Sequence, residues 1–159
     1  MKFYHNIELL KINCFTLKQF NMLKLKVYSF EKLEVWKEAR KLAVKIYKLT
    51  AKYPPEEKFG LVSQMRRSVN SINYNISEGS SRESFKDQAR FTQISFGSLM
   101  ELLNDSILSF DLQYISDTEL LDLRLDTDSI GYKLDSLHKS QLARHKAKIR
   151  SKAQKKNHE

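Results

Sequence analysis

Apolar residues recur at alternating spacings of three and four through most of residues 31–137, and this periodicity limits the possible folds more than any other feature. Four segments carry it. The apolar positions are Val35, Ala39, Leu42, Ile46, Leu49 and Tyr53 in the first; Val62, Met65, Val69, Ile72 and Ile76 in the second; Phe85, Ala89, Thr92, Phe96, Leu99, Leu103 and Phe110 in the third; and Leu120, Leu123, Thr127, Ile130, Leu134 and Leu137 in the fourth. Such spacing predicts four helices, each with one apolar stripe facing a partner.

Helix-breaking residues separate the first three segments. Pro54 and Pro55 follow the first segment, and proline disfavours a helical conformation in the residue before it. Pro55 is predicted to begin the second helix, because proline is favoured at the first helical position. Gly79 is predicted to stop that helix, since glycine commonly follows the last helical turn.

Two capping signals mark the starts of the third and fourth helices. Ser84 with Asp87, and Ser116 with Glu119, have the spacing of a capping box. The connections are short, so consecutive helices are expected to be antiparallel. The predicted fold is all-α: an antiparallel, up-down-up-down four-helix bundle with a basic C-terminal tail.

The net charge of +9 is concentrated at the two ends of the sequence. Residues 138–159 hold eight Lys or Arg and one acid, and residues 1–30 hold five Lys and one acid. The stretch 31–137 has 15 basic and 17 acidic side chains and is nearly neutral. We therefore divide the chain into an N-terminal extension (1–29), a bundle domain (30–137) and a basic C-terminal extension (138–159), the last expected to be a helix that frays into a solvated tail.

The N-terminal extension lacks clear helix punctuation. Met22 begins "MLKLKVYSFEKLEVWKEA", a natural start for the domain, so residues 1–21 are expected to be dispensable. Glu8 and Lys11 interrupt any apolar core of a signal peptide, and the sequence has no run of about 20 apolar residues to span a membrane. Cys14 is the single cysteine and can form no internal disulfide, so a cytoplasmic location is predicted.

The sequence offers little for catalysis. All four histidines lie in or beside the ends of the chain, and none falls on an apolar stripe. Asp135 and His138 have a spacing that could share a metal on a helix, but di-metal bundles need further carboxylates and a second such pair. The four glycines form no phosphate-binding loop. We predict a protein that is not an enzyme and has no metal or cofactor.

The stretch "QMRRSVNSINYNISEG", residues 64–79, is unusually rich in Asn and Ser for a packed helix. These residues compete for backbone hydrogen bonds and are poor helix formers. At helical spacing they and their neighbours form a polar stripe of Gln64, Arg67, Ser71, Asn75 and Glu78. The third segment has a shorter counterpart in Ser98, Glu101 and Asp105, with Gly97 beside it.

Three interpretations of this stripe remain open at the level of sequence. It could be a solvated face. It could be a buried interface, between helices or between subunits, in which Arg67 and Glu101 make polar contacts and the small Gly97 and Ser98 permit close approach. It could also be a ligand or nucleic-acid site that uses Arg66 and Arg67, since arginine suits planar, bidentate contacts.

A set of ordered motifs over roughly residues 28–137 resembles the 23S ribosomal RNA intervening sequence proteins, small bacterial four-helix bundles. The matching residues are Phe30, Leu33 and Trp36; the Pro–Glu–x–x–x–Gly–Leu turn from Pro55 to Leu61; Gln64, Arg66 and Arg67; Ser71, Asn75, Ile76, Glu78 and Gly79; and Gly97, Ser98 and Glu101. Ser77 stands where the family usually has Ala, and Phe96 replaces a typically small residue, which could alter how closely the third helix packs on a neighbour.

The resemblance implies a homopentameric barrel without known enzyme activity. It makes the polar stripe a candidate subunit interface of Gln64, Arg67, Ser71, Asn75, Glu78, Gly97, Ser98 and Glu101. A related bundle acts as an accessory protein to the reverse transcriptase of diversity-generating retroelements, where it binds the polymerase and nucleic acid.

Two functions are therefore considered. The first is a non-enzymatic oligomer that binds nucleic acid, structured RNA above all and DNA as a variant, by contacts to phosphate. Its candidate residues are Arg66, Arg67, Arg144, Lys146, Lys148, Arg150, Lys152, Lys155 and Lys156. The alternative is a protein-interaction scaffold or an accessory subunit of a polymerase or reverse transcriptase, with the basic extension serving solubility. No membrane partner is expected.

Overall fold

The computed structural model describes residues 25–156, with side chains through residue 154. Four α-helices make up most of this part of the chain: α1 (Glu34–Thr50), α2 (Leu61–Ser80), α3 (Phe85–Asp111) and α4 (Asp117–Lys156). Short 3-10 helices at Phe30–Lys32 and Pro55–Phe59 precede α1 and α2. The expectation for residues 1–21 lies outside the described residues.

Each helix packs on the next in the sequence, and α4 also packs on α1. The four helices thus close into a ring around one core. Contacts between helices run in opposite chain directions, as when Arg67 of α2 pairs with Glu101 of α3 while Ser71 pairs with Ser98. The predicted all-α, up-down bundle is confirmed.

The apolar stripes of α1, α2 and α4 form the core as the spacing predicted. Every predicted position of α1 and α2 is buried, and in α4 the same holds for Leu123, Thr127, Ile130 and Leu134. Leu120 and Leu137 pack against the edge of this core. Leu42, Ile46, Met65 and Leu99 are among its largest fully buried side chains.

Helix α3 follows the predicted stripe in part: Ala89, Thr92 and Leu99 are buried, and Phe96 and Phe110 pack against the core. Phe85, Phe96, Leu103 and Phe110 are only partly buried. The buried side chains also include four serines: Ser95, Ser98, Ser106 and Ser109. The apolar period therefore pointed to the α4 side of α3, whereas small polar residues hold its contact with α2. Phe96 packs towards α4, since a Cβ built on Gly131 would lie 3.7 Å from its ring.

The connections depart from the prediction at two places. Pro55 begins a 3-10 helix, and α2 starts only at Leu61, whose N–H donates to the Glu57 carboxylate at 2.9 Å. Glu57 thus supplies the acceptor that an α-helix needs at its first turn. Helix α2 also passes through Gly79 and ends at Ser80, so Gly79 is not a helix stop.

Gly79 instead permits close packing. A Cβ built there would lie 2.7 Å from Cβ of Phe91, a separation that atoms in proteins essentially never adopt. The absence of a side chain at Gly79 allows the end of α2 to approach α3. The predicted capping at Ser116 is confirmed, because its hydroxyl accepts from the Glu119 N–H at 3.2 Å and Glu119 accepts from the Ser116 N–H at 3.0 Å. The Ser84 hydroxyl accepts from the Asp87 N–H at 3.4 Å.

Helix α4 continues well past residue 137 and is 40 residues long, or about 60 Å at 1.5 Å per residue. Gln141, inside the predicted extension, is buried and accepts a hydrogen bond from the Thr92 hydroxyl of α3 at 2.8 Å. From Ala143 to Gln154 almost every side chain is exposed. The basic extension is therefore helical as far as Lys156.

Candidate functional site

The polar residues of α2 bond to the helices on both of its sides. Towards α1, the Asn73 amide donates to the Ala39 carbonyl at 3.1 Å, and the Asn70 amide donates to the Tyr47 hydroxyl at 2.8 Å. Arg66 donates to the Thr50 hydroxyl at 2.9 Å. These hydrogen bonds hold α2 against α1. An apolar side chain in place of Asn73 would leave the Ala39 carbonyl without this donor.

Towards α3, the contacts are made by small side chains. The hydroxyls of Ser71 and Ser98 are 2.8 Å apart. Within α2, the Asn75 amide donates to the Ser71 carbonyl at 2.8 Å and to its hydroxyl at 3.1 Å, and so orients the serine that meets α3. Ser95 also donates to the Ile72 carbonyl at 3.3 Å. Four of the Asn and Ser residues of α2 therefore form hydrogen bonds between helices of one chain: Ser68, Asn70, Ser71 and Asn73.

Arg67 and Glu101 extend this contact to the surface. The Arg67 guanidinium donates to the Glu101 carboxylate and to the Gln64 side chain, both at 3.1 Å. The Ser68 hydroxyl donates to the same Glu101 oxygen at 3.3 Å. Both Arg67 and Glu101 keep about half of their side chains exposed. They are consequently available to a second molecule as well as to each other.

The two arginines proposed as one nucleic-acid site face different neighbours. Arg66 lies over the Tyr47 ring, 4.8 Å from its centroid, beside the last turn of α1. Arg67 points to α3. Consecutive helical residues are separated by about 100° around the axis, and each guanidinium already has partners within the chain.

The remaining members of the candidate subunit interface lie apart from this network. Glu78 pairs with Arg82 in the turn between α2 and α3. Gly97 is exposed, and among the described residues a Cβ built there would meet no atom within 4 Å. Ser98 and not Gly97 therefore allows the close approach of α2 and α3 within the chain. Gly97 lies in an exposed strip of α3 between Ile94 and Leu108.

Asp105 is the least favourably placed charge in the bundle. It is only 8% exposed, and its Oδ2 atom has no hydrogen-bond partner within residues 25–156. Burial raises the pKa of this carboxyl, and the nearby Glu101 raises it as well. The Asn104 amide and Arg67 lower the pKa by a smaller amount, so the pKa is raised overall. The sequence placed Asp105 in the shorter polar stripe of the third segment, but spacing alone did not distinguish a buried position from a solvated one.

The basic residues of the α4 extension meet the start of α3. Arg144 and Lys148 each lie 5.9 Å from the centroid of the Phe85 ring. Arg82 lies 4.8 Å from the ring of Phe91, one and a half turns further along α3. Cations at this distance over an aromatic face are attracted to it. The structure thus gathers positive charge from the α2–α3 turn and from α4 at one end of the bundle.

The other candidate cations of the extension project into solvent. Lys146, Arg150 and Lys152 are exposed. The side chains of Lys155 and Lys156 lie outside those described. Sequence reasoning found these cations from their density along the chain, but it missed Phe85, Phe91 and Arg82, because their proximity depends on how α3 packs against α4.

A cavity of about 160 Å³ that opens to solvent lies between α3 and α4. Its lining includes the Asp135 and His138 pair together with Thr92, Gln93, Phe96 and Leu134. Asp135 also pairs with Lys139. Within the described part of the chain, no cluster of three or more His, Cys, Asp or Glu side chains could hold a metal ion. No helix of residues 25–156 combines the length and apolar character that crossing a membrane requires.

Two comparisons with known proteins agree on a family. The family model described as 23S rRNA-intervening sequence protein matches residues 31–136. The chain is also similar to the crystal structure of a protein of unknown function from the S23 ribosomal protein family of Bacteroides thetaiotaomicron. The two share 26% sequence identity with a TM-score of 0.62, over 66% of this chain and 98% of that one. No curated protein matches the sequence.

Proposed function

Because the chain belongs to the 23S rRNA-intervening sequence protein family, we propose that it is a non-enzymatic, oligomeric bundle that binds nucleic acid, structured RNA above all. The observation that carries this proposal is the accumulation of cations at one end of the bundle. Arg144 and Lys148 of α4 lie there against Phe85 of α3, and Arg82 of the α2–α3 turn lies against Phe91 of the same helix. Phosphate contacts from such a surface give affinity that depends little on sequence.

In this proposal the bundle domain and the basic C-terminal extension both contribute cations to the nucleic-acid surface. Residues 138–156 hold eight Lys or Arg and no acid, and their helical form spaces these charges along a rod. Base stacking is not part of the proposal, because the aromatic rings nearby, Phe85 and Phe91, are covered by cations of the chain itself. Arg66 and Arg67 have a smaller role, since both make contacts within the chain.

The test is fluorescence anisotropy of a labelled structured RNA against the full chain at several salt concentrations. Removal of the extension at residue 137 would also remove the buried Gln141, so substitutions are preferable. The variant carries Lys148→Gln, Arg150→Gln and Lys152→Gln. We expect weaker binding and a salt slope that is smaller by about three, one for each lost phosphate contact.

A matched control removes three cations from the opposite end: Lys48→Gln, Lys58→Gln and Arg124→Gln, all exposed. It lowers the net charge equally, so general electrostatic attraction predicts the same loss in both variants. A contribution from one end predicts a loss in the first variant alone. Equal binding by the wild type and the first variant contradicts the proposed surface.

The second part of the proposal is assembly into a homo-oligomer through the outer edge of α2 and α3, with a pentamer as the form the family suggests. Gly97 supports it. A mid-helix glycine costs about 1 kcal/mol relative to alanine, and in the single chain its small size serves no contact among the described residues. Close approach of another subunit would explain this glycine, which lies one turn from the exposed Ile94 and three turns from the exposed Leu108.

The alternative, a protein scaffold or accessory subunit of a polymerase, is favoured by the other end of the bundle. Phe59 is 87% exposed there, in a turn that also holds the acidic Glu56 and Glu57. An apolar side chain so exposed suits a protein contact better than a phosphate backbone. Absence of RNA binding together with capture of a polymerase subunit through Phe59 would favour this alternative.

A further inference from the structure

The outward face of α4 carries residues at alternating spacings of four and three, which we call the α4 seam. Its members are Leu121, Leu125, Asp128, Tyr132, Asp135, Lys139, Leu142, Lys146, Ile149 and Ala153. This is the repeat of a coiled coil, in which one stripe of each helix faces a partner helix. It is separate from the core stripe of α4, which contains Leu123, Ile130 and Leu134.

The bundle leaves the α4 seam uncovered. The large apolar side chains of α4 that are exposed are Leu121 (58%), Leu125 (61%), Tyr132 (75%) and Ile149 (54%), and all four belong to the seam. Scattered apolar residues on a surface are ordinary, but their restriction to one helical stripe is not. The stripe is therefore an apolar surface that the bundle itself does not cover.

The order of residues along the seam identifies a helix that would cover it. Positions at equal distance before and after residue 137 are complementary. Leu121 matches Ala153, Leu125 matches Ile149 and Tyr132 matches Leu142, each an apolar pair. Asp128 matches Lys146 and Asp135 matches Lys139, each an acid with a base. Two copies of α4 that cross antiparallel at residue 137 would bring all of these pairs together.

The distribution of charge along α4 also favours an antiparallel pair. Residues 117–137 hold six acids and two bases, whereas residues 138–156 hold eight bases and no acid. An antiparallel pair places the acidic half of each helix against the basic half of its partner, while a parallel pair places like charges together. The spacing agrees as well. The seam residues alternate between the two core positions of a coiled-coil heptad, a and d. An antiparallel coiled coil pairs an a position of one helix with a d position of the other, and all five pairs do so.

We propose that the α4 seam binds a second copy of this chain in an antiparallel coiled coil centred on residue 137. The contacts of the α2–α3 edge use another face, and Lys146 is the one nucleic-acid candidate that also belongs to the α4 seam. Arg144 and Lys148 point to Phe85 and not along the seam, so they stay available to phosphate. Pairing through α4 would join two subunits, or two rings, by a twofold axis.

Charge reversal tests the pairing. Asp128→Lys with Asp135→Lys places like charges opposite Lys146 and Lys139, and Lys139→Asp with Lys146→Asp does so in the opposite sense. Light scattering of the full chain should show a mass at least twofold lower for either double variant. The quadruple variant, with all four changes, restores each opposite-charge pair and should regain the wild-type mass. Circular dichroism checks that each variant keeps its helix content.

An unchanged mass in both double variants would overturn the proposal, as would a quadruple variant that stays dissociated. If residues 1–24 of the same chain or an unrelated protein covered the seam, the mass of the purified chain would likewise not respond. A Gly97→Arg variant separates this contact from the α2–α3 edge, because it should leave the α4 pairing intact.

A cross-link tests the direction. In a Cys14→Ser background, one preparation carries Leu125→Cys and another carries Ile149→Cys. Within one helix these positions are about 36 Å apart, at 1.5 Å per residue, so a disulfide between them must join two chains. We expect a disulfide-linked dimer after mild oxidation only when the two preparations are mixed. Dimers of Leu125→Cys alone would indicate a parallel pair, and no dimer in the mixture would contradict the register.

Discussion

The α2–α3 and α1–α4 contacts of this bundle are built by opposite means. Between α2 and α3 the inner contacts come from the short, neutral residues Ser71, Ser95, Ser98 and Gly79, and the charged pair of Arg67 and Glu101 lies at the exposed edge. The two helices approach closely at Gly79, where a Cβ would lie 2.7 Å from Cβ of Phe91. Steric fit and short hydrogen bonds therefore fix their separation.

Between α1 and α4 long charged side chains bridge the helices. Lys45 pairs with Asp122 at 2.7 Å and with Asp126, and Lys133 pairs with Glu38 at 3.0 Å. These groups lie at the rim and are about a third or more exposed. Long side chains tolerate changes in helix separation, whereas the α2–α3 contact does not. Substitutions of similar size should consequently have very different effects on the two sides of the bundle.

The largest expected effect comes from Gly79→Ala. The added methyl would lie 2.7 Å from Cβ of Phe91, and overpacking of this kind costs about 1–3 kcal/mol. The gain in helix propensity of about 1 kcal/mol offsets part of that loss. We expect a net loss centred on about 1 kcal/mol and reaching about 2 kcal/mol in the free energy of unfolding, measured by chemical denaturation.

Gly97→Ala is the matched control. The substitution is identical, but Gly97 has open space around it, so the single chain should gain up to about 1 kcal/mol. A loss of stability that depends on protein concentration would instead indicate a subunit packed against Gly97. If Gly79→Ala were neutral, the close approach of α2 and α3 would not limit stability.

Asp105→Asn should stabilise the bundle by about 1 kcal/mol at neutral pH, because the carboxylate is buried with an unpartnered oxygen. Its pKa is raised above the ordinary value of 3.8 in the folded state. The folded protein therefore holds this proton more tightly than the unfolded chain does. The stability contribution of Asp105 falls as pH rises through the interval between the two values.

The measurement is the free energy of unfolding against pH for the wild type and for Asp105→Asn. The difference between them should be smallest at acid pH and should grow as the carboxyl ionises. Glu83→Gln removes an exposed charge and serves as control. A difference in unfolding free energy that stays the same at every pH would contradict a destabilising carboxylate at Asp105.

Lys45→Met should have the smallest effect, about 0.5 kcal/mol, since exposed and partly exposed ion pairs contribute little. Desolvation lowers the pKa of Lys45, but the carboxylates of Asp122 and Asp126 outweigh it and raise the pKa overall. The contribution is thus present at neutral pH and is lost as pH rises above the ordinary value of 10.5.

Denaturation of Lys45→Met at low and high salt measures this contribution, which added salt should reduce. Lys48→Met, one turn of chain away on an exposed position, is the control. A loss as large as that of Gly79→Ala would show that the two helix contacts do not differ in the way described.

The sequence alone predicted the helices of this protein, their antiparallel order and most of the core. Helical periodicity is local, so the buried faces of α1, α2 and α4 could be read from spacing. The cation density of residues 138–156 and the polar stripe of α2 were also visible, since both depend only on residue type and position.

Only the tertiary structure decided which neighbours these residues meet. It assigned Asn70 and Asn73 to α1 and Ser71 to α3, buried Asp105, and revealed Gly79 as a packing glycine. It also brought Arg82 to the end of the bundle where Arg144 and Lys148 lie. These relations depend on distances between helices far apart in sequence, and residue spacing within one helix carries no information about the rotation or depth at which it meets another.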